Sequence, residues 1–364
     1  MARSARRWRV WLVVAVAAIG AGVASLASGA TQNAPEVTLR FGFVTPLTHP
    51  YGRTMLEFQK KVQNGSNGRI KLDLLPIFGG GDDIALLNGV KGGLVDGGAI
   101  SAAIWSTAKI NSFVALQMPF LIDNYALEAK VISTSSPIAQ RMLKLGTERA
   151  GLKGLAIFEG GERQIVLKTG PVNSLADLRG LKLRSVQSPQ LADTLSALGA
   201  SPEPLPVGEV YGAIQNGTVD GLEANSGLVF SNKFYEAGAR HITLANLFPF
   251  PAILVMNGAR FNALPADLQQ VIVNAARETP TFSLSIVGLT GNLPALLCNV
   301  GVKYHILTNA AKRSMLKAVA KVYTKYTKNP QIRSFVTAIQ KLKVNPKLRG
   351  GPTATDAPPP SCLE

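Results

Sequence analysis

Two stretches of the chain follow the same order of strand and helix patterns, and this order narrows the possible folds. In residues 39–100, strand character is found in "LRFGFVTP", "GRIKLDLLP" and "LVDGGAI". Apolar residues at helical spacing lie between these strands, in "TMLEFQKKV" and "DDIALLNGVKGG". A strand–helix–strand–helix–strand order predicts a largely parallel sheet with helices on both faces, so the predicted fold class is α/β.

The same order returns in residues 182–224. Strand character is found in "KLRSV" and "TVDGLEA", and helical character in "SPQLADTLSALG" and "GEVYGAIQNG". The stretch "GLVDGGAIS" (93–101) also aligns with "GTVDGLEAN" (217–225), each with a helix-stopping glycine, a short strand and a loop. We therefore predict two similar lobes, and a cleft between two lobes is a common place for a small ligand.

The first 30 residues have the three parts of a secretory signal peptide. Four arginines within the first nine residues precede an apolar stretch from Val10 to Leu26, and small residues follow at Ala27–Ala30. The alternative is a retained membrane anchor, since the apolar stretch is long enough. Gly20, Gly22 and the small residues favour cleavage, so we predict that residues 1–30 are removed and the protein is exported.

The net charge of +16 falls to +12 without residues 1–30, because that segment contains four arginines and no acidic residue. Basic residues are densest from Lys312 to Arg349, without interleaved aromatic residues or zinc-ligand spacing. This pattern indicates a solvated basic face and not a nucleic-acid site. The sequence also has no G-x-S-x-G, H-E-x-x-H or G-K-[ST] motif. We therefore expect a binding protein and not an enzyme, with no cofactor and no metal.

Two cysteines, Cys298 and Cys362, are too few for a disulfide framework or a metal site. They can pair in an oxidising compartment, but the sequence leaves this open. Cys362 lies in "TATDAPPPSCLE", whose composition predicts disorder.

Two arginines are candidates for binding an anion. In "GLKLRSVQSPQLADTL" (180–195), Arg184 comes near the carboxyl end of a strand, just before a helix start at Ser188-Pro189. In α/β sheets this position faces the ligand crevice. Arg163 follows a Gly-Gly turn in "FEGGERQIVLK", where the chain passes between lobes. Two planar guanidinium groups suit a carboxylate, although either arginine alone is also consistent with a solvated surface residue.

The chain from Val37 to Pro346 resembles the DctP-type solute-binding proteins of TRAP (tripartite ATP-independent periplasmic) transporters. The resemblance is carried by "FGFVTPLTHPYG", "MPFLIDN", "GGERQIVLKTGPVNSLADLRGLKLRSVQSP" and "LGASPEPLPVGEVYGAIQNGTVDGLEANSGLVFSNKFYE". It implies a periplasmic clamshell, with each lobe a mixed, mainly parallel sheet flanked by helices. It also implies a solute, typically a mono- or dicarboxylate, that is delivered to small and large membrane permease subunits for ion-gradient-driven uptake.

We predict that lobe I comprises residues 37–160 and 249–288, and lobe II residues 161–248 and 289–346. Residues 347–364 are predicted to be a disordered, proline-rich tail. We expect a monomer that binds no nucleic acid. An alternative function is a ligand-sensing clamshell that feeds a receptor or regulator.

The resemblance also implies roles for individual residues. Arg184 matches the arginine that forms a salt bridge to the solute carboxylate, and Arg163 matches a second arginine near the same group. The family pattern "VDG-x-EN-P" reads "VDGLEANSG" here, so Ala224 stands where asparagine is usual and Asn225 follows one place later. Asn225 is kept as a candidate ligand contact.

Three further residues complete the predicted site. Trp105 is expected either to stack on the solute or to pack in the core, and Gln187 to offer a hydrogen bond. Glu209 is expected to orient Arg184 or the start of its helix. Ile84 and Ala224 stand where polar contacts are common in the family, so we predict an organic acid with an apolar or weakly polar body.

Overall fold

The structure is a computed structural model that describes residues 34–288, 292–344 and 360–363. The predicted signal peptide lies outside the described residues. No helix within the described ranges is long and apolar enough to cross a membrane.

The strands form two mixed sheets. Their bounds are β1 Val37–Phe43, β2 Ile70–Leu75, β3 Gly97–Ser101, β4 Leu152–Phe158, β5 Arg163–Leu167, β6 Lys182–Ser185, β7 Ser201–Pro204, β8 Gly221–Ala224, β9 His241–Phe248, β10 Ala252–Asn257 and β11 Lys303–Ile306. The first sheet has the order β2-β1-β3-β10-β4, and the second has the order β11-β9-β5-β8-β6-β7. The predicted pair of α/β sheets is confirmed.

Helices pack on both sheets. Their bounds are α1 Pro50–Gly65, α2 Asp83–Lys91, α3 Tyr125–Ile132, α4 Pro137–Thr147, α5 Pro189–Leu198, α6 Val210–Gln215, α7 Ser226–Ser231, α8 Gly258–Asn262, α9 Ala266–Gly288, α10 Leu293–Asn299, α11 Asn309–Ala318, α12 Ala320–Tyr326 and α13 Pro330–Lys343. The predicted start of α5 at Ser188-Pro189 agrees with the structure, which has Ser188 as N-cap and Pro189 as the first helical residue.

The parallel pairs are those that the strand–helix–strand order predicts. In the first sheet, β1 pairs in parallel with β2 and β3, and Phe41 lies opposite Gly97. Gly97 lets these strands approach, because a Cβ there would lie 2.5 Å from the Phe41 ring. Leu39, Phe41 and Phe43 are fully buried and form one side of the core.

The chain passes directly from a strand of one sheet to a strand of the other after β4 and after β9, and it changes sheet a third time between β10 and β11. The strand that follows each direct crossing is inserted antiparallel into the other sheet, β5 between β9 and β8, and β10 between β3 and β4. Glu159 joins the two direct crossings, since its Oε1 accepts from the backbone N–H of Gly161 and, at 3.1 Å, from that of Phe250. Both direct crossings are therefore held by one buried carboxylate.

Helix α13 departs from the predicted lobe boundaries, which placed residues 289–346 in lobe II. Its buried residues Ile332, Phe335, Val336 and Ile339 face elements that flank the first sheet, because α13 packs on α3 and α4. The Arg141 guanidinium of α4 lies 5.0 Å from the Phe335 ring centre, and Gln331 donates to Ser112 Oγ at 3.1 Å. An amphipathic helix shows in sequence that it has an apolar face, but not which partner covers it.

The prediction of a disordered tail over residues 347–364 is wrong for its last described residues. Pro360–Cys362 form a short 3-10 turn, Leu363 forms a parallel bridge with Tyr304, and Cys362 forms a disulfide with Cys298. The covalent bond fixes this segment against α10 and β11 despite its composition.

Removing this disulfide is expected to lower the free energy of unfolding by about 2–4 kcal/mol, because a cross-link restricts the unfolded chain. The two cysteines are 64 residues apart in sequence. Urea unfolding of the oxidised protein, with and without dithiothreitol, measures the effect. The double variant Cys298→Ser/Cys362→Ser is the control and should not respond to reductant. Equal midpoints for the oxidised and reduced protein would contradict the prediction.

Candidate functional site

A cavity lies between the two sheets and contains both predicted arginines. One wall comes from residues after β1 and β3 and from the start of α2. The other wall comes from β5, β6 and the loops that follow β6 and β7. We call it the arginine cavity, and it is lined by Val44, Thr45, Gly81, Asp83, Ile104, Arg163, Arg184, Val186, Gln187, Leu205, Pro206, Val207, Leu228 and Phe250.

Arg184 is held in place by a backbone carbonyl. It is the third residue of β6, and only 2% of its surface is exposed. Its Nε and Nη2 donate to the carbonyl oxygen of Leu205 at 3.0 and 2.8 Å. Burial lowers the pKa of Arg184 to about 10, which leaves the side chain charged at neutral pH. Within the described residues its Nη1 makes no hydrogen bond, so the two N–H groups of Nη1 remain for a ligand.

Arg163 is fully buried at the start of β5. Its Nε donates to the carboxylate of Glu223 on β8, and its guanidinium carbon lies 4.0 Å from the centre of the Phe250 ring. Its Nη1 and Nη2 have no hydrogen-bond partner within the described residues. A buried cation that is oriented on one edge and open on the other suits a planar carboxylate.

The third charged residue of the cavity is Asp83, the first residue of α2. Asp82, the N-cap of α2, accepts from the backbone N–H of Ile84 at 2.8 Å. Asp83 points instead into the fold, where its Oδ1 accepts from the backbone N–H of Ser101 at 3.1 Å. Burial raises the pKa of the Asp83 carboxyl group to about 7.

Most of the remaining wall is apolar. Val44 and Ile104 contribute from one side, and Val186, Leu205 and Leu228 from the other. Polar side chains other than the charged ones are Thr45 and Gln187. The cavity therefore combines two cations and a carboxylate with a mainly apolar surface.

The structure brings together Arg163, Arg184 and Gln187 of the predicted site. Trp105 lies elsewhere: it is fully buried and packs on Phe113 with ring centres 5.0 Å apart, while its neighbour Ile104 lines the cavity. Of the two predictions for Trp105, the structure agrees with core packing. Glu209 is exposed and outside the cavity, and the Leu205 carbonyl orients Arg184 in its place.

Asn225 is also outside the arginine cavity, which corrects its predicted position. It is the N-cap of α7, and its side-chain oxygen accepts from the backbone N–H of Leu228 at 2.7 Å. It borders a separate cavity with Gly160, Gly161 and Ser226. The start of α7 therefore uses the side-chain oxygen of Asn225.

Three residues of the site were not predicted: Asp83, Glu223 and Phe250. A sequence signal existed for Glu223, because a glutamate within a buried strand needs a cation. Asp83 follows the N-cap Asp82 in "FGGGDD", where an acidic residue is also typical of an ordinary helix start. No local sequence pattern distinguishes an acidic residue that lines the cavity from one that only stabilises a helix start.

Two mixed sheets joined by two direct strand crossings, with buried arginines in the cavity between them, define a clamshell solute-binding protein. The chain belongs to the bacterial extracellular solute-binding protein family 7, DctP, whose family model matches residues 41–329. The predicted resemblance to DctP-type proteins of TRAP transporters is thereby confirmed.

Relatives agree with this assignment. The chain is 30% identical over 272 residues to the 2,3-diketo-L-gulonate-binding periplasmic protein YiaO of Escherichia coli K12, covering 73% of this chain and 79% of the relative. A TRAP periplasmic solute-binding protein from Ralstonia eutropha H16 with bound (S)-2-acetolactate is 26% identical with a TM-score of 0.76, covering 84% of this chain and 99% of that one. Another from Bradyrhizobium, in complex with D-galacturonate, is 28% identical with a TM-score of 0.77, covering 84% and 100%.

Proposed function

We propose that this protein captures a small organic acid in the periplasm and delivers it to the membrane permease subunits of a TRAP transporter. One observation carries the proposal: two buried Nη donors of Arg163 have no partner in the described structure and lie in the same cavity as Arg184. A buried cation with unused donors is costly unless a ligand completes it. A carboxylate supplies both the charge and the acceptor geometry.

The ligand carboxylate lies between the two arginines, where Arg184 is the anchor and Arg163 the second donor. The Leu205 carbonyl and the Glu223 carboxylate fix the two guanidinium groups before the ligand arrives. Such preorganisation reduces the ordering cost of binding. Gln187 offers a further hydrogen bond from the cavity wall.

The rest of the ligand is mainly apolar. The wall around the arginines contains valine, isoleucine, leucine and proline side chains, and an unpaired buried hydroxyl costs roughly 1–3 kcal/mol. Related proteins bind both kinds of acid, a small hydroxylated keto acid in one structure and a sugar acid in another. The lining favours an acid of the first kind for this chain.

The proposal also includes export to the periplasm and a monomeric state. Cleavage after the first 30 residues releases the protein into the periplasm, where its relatives are named as periplasmic binding proteins. A monomer then carries one solute to the permease.

A thermal-shift series tests the proposed function. Keto acids, aliphatic dicarboxylates and aromatic acids are compared at one pH with sugar acids, each alongside its neutral amide. An acid at 100 times its dissociation constant should stabilise the folded state by about 2.7 kcal/mol, and its amide should not. Equal shifts for acids and amides would overturn carboxylate capture. Tighter binding of the sugar acids would overturn the apolar body alone.

A further inference from the structure

We propose that helices α11 and α12 dock on the surface of a bilayer that contains anionic phospholipids, through a row of exposed basic side chains. The docking is electrostatic and peripheral, and it is separate from solute capture in the arginine cavity. It holds the protein close to the membrane in which the permease of the proposed function lies. The inference does not depend on the identity of the solute.

The row of basic side chains follows one face of two consecutive helices. Helix α11 ends at Ala318 and α12 begins at Ala320, and Val319 between them keeps right-handed helical angles (φ −78°, ψ −4°). Residues three or four apart lie on the same face of a helix. Five exposed cations at this spacing form what we call the basic stripe, namely Arg313, Lys317, Lys321, Lys325 and Lys328.

The basic stripe faces away from the rest of the protein. Met315 and Val322, on the opposite face of the two helices, are buried, and both helices pack on α5. Each residue of the stripe is exposed, so no part of the described chain covers it. The stripe is therefore available to an external partner.

Few carboxylates neutralise the basic stripe. Helix α5 and the 3-10 turn Leu175–Leu178 pack against α11 and α12, and they contribute Asp193 and Asp177. Asp193 accepts from Lys325 Nζ at 2.6 Å, whereas Asp177 accepts from the backbone N–H of Ser174 at 2.8 Å. Within the described residues the other four cations of the stripe form no ion pair.

The sequence shows the same bias beyond the basic stripe. No aspartate or glutamate occurs between Glu278 and Asp356, whereas twelve lysines and arginines do. Like charges four residues apart destabilise a helix, so the stripe works against the helices that carry it. An anionic surface offsets this repulsion, which indicates that the stripe serves a partner and not the fold.

The composition of the basic stripe favours a lipid surface over a protein. Four of its five cations are lysines, and lysine is depleted in protein interfaces, whose centres are formed by aromatic and arginine anchors. The exposed residues between the cations on this face are Ser314 and Thr324, and neither is such an anchor. Attraction to anionic headgroups needs no fixed geometry, and each lysine or arginine close to such a surface strengthens binding about fivefold.

Sedimentation of the mature protein with lipid vesicles tests the inference. Vesicles of phosphatidylcholine alone are compared with vesicles of phosphatidylcholine and phosphatidylglycerol in equal amounts. We expect binding to the anionic vesicles only. This binding should be lost when the salt concentration rises from about 0.01 M to about 1 M, because the Debye length falls from about 30 Å to about 3 Å.

A triple variant tests the basic stripe itself. Arg313→Gln/Lys317→Gln/Lys321→Gln removes three charges and introduces residues that favour a helix. Its affinity for the anionic vesicles should fall about a hundredfold, from a factor of about five for each charge. The thermal shift caused by the solute should not change, because none of the three residues lines the arginine cavity.

The control variant removes the same net charge from other surfaces. Lys60→Gln/Lys91→Gln/Lys130→Gln replaces exposed lysines on α1, α2 and α3, which belong to the first sheet and its helices. It should retain most of the vesicle binding of the unaltered protein. An equal loss in the two triple variants would show that net charge alone attracts the protein, which overturns the role of the stripe.

The remaining outcomes separate the lipid from a protein partner. Equal binding to the neutral and the anionic vesicles, or no binding to either at low salt, overturns the inference. If the protein binds only vesicles that contain the permease, and the stripe variant loses this binding, the partner is an acidic protein surface and the inference also fails. Each of these results leaves solute capture untouched, because the thermal-shift series tests it without a membrane.

Discussion

Arg184→Ala is expected to abolish acid binding while the protein remains folded. Arg184 contributes a buried charge to the arginine cavity, and within the described residues its side chain donates hydrogen bonds to a single backbone carbonyl. Loss of a buried, hydrogen-bonded charge from a binding site costs on the order of 2–5 kcal/mol, or roughly 30-fold to several thousand-fold in affinity. Calorimetry with the best acid from the thermal-shift series measures the loss.

Two variants make this result specific. Arg184→Lys keeps the charge but replaces the planar guanidinium, so binding should weaken without disappearing. Lys182→Ala removes an exposed cation from the same strand and should leave the affinity unchanged. If folded Arg184→Ala bound the acid with unaltered affinity, Arg184 would not be the anchor.

The position of Arg184 in the cavity could be predicted from the sequence because it depends on local patterns. A short strand, a loop and a helix start follow each other within a few residues, and the carboxyl end of such a strand faces a cleft whatever the remaining fold. The same locality explains why α5 begins where it was predicted to begin. Gln187, in the loop between strand and helix, lies in the cavity for the same reason.

Residues whose role depends on distant neighbours were not identified. Glu223 becomes the partner of Arg163 only because β5 is inserted antiparallel beside β8, with Gln164 opposite Ala224. The hydrophobic periodicity of a single strand does not predict which strands lie beside it in the sheet. Asn225 shows a second limit of sequence patterns, since its side-chain oxygen accepts from the backbone at the start of α7, a role that competes with a ligand contact.

The position of α13 has the same origin. The apolar face of α13 is clear from the sequence. The helix follows β11, a strand of the second sheet, but it packs on the helices that flank the first sheet. Chain order alone therefore does not identify the elements on which this helix packs. Composition alone did not predict the structure of residues 360–363, because a disulfide to Cys298 fixes them within a stretch whose composition predicts disorder.

Glu223→Ala is expected to lower the free energy of unfolding by about 3–5 kcal/mol, because it leaves Arg163 as a buried charge without its partner. Both side chains are fully buried, so water cannot replace the lost carboxylate. The remaining contact of the guanidinium group, with the Phe250 ring, is weaker than an ion pair in this setting. Urea unfolding followed by circular dichroism measures the change.

Two comparisons distinguish a lost ion pair from lost packing. Glu36→Ala breaks an exposed ion pair with Arg69 and should cost less than about 1 kcal/mol. The double variant Arg163→Met/Glu223→Leu removes both charges and keeps apolar volume, so it should be clearly more stable than Glu223→Ala. A Glu223→Ala protein as stable as Glu36→Ala would mean that Arg163 tolerates burial alone. In that case the unpartnered Nη donors would no longer indicate a site that requires an anion.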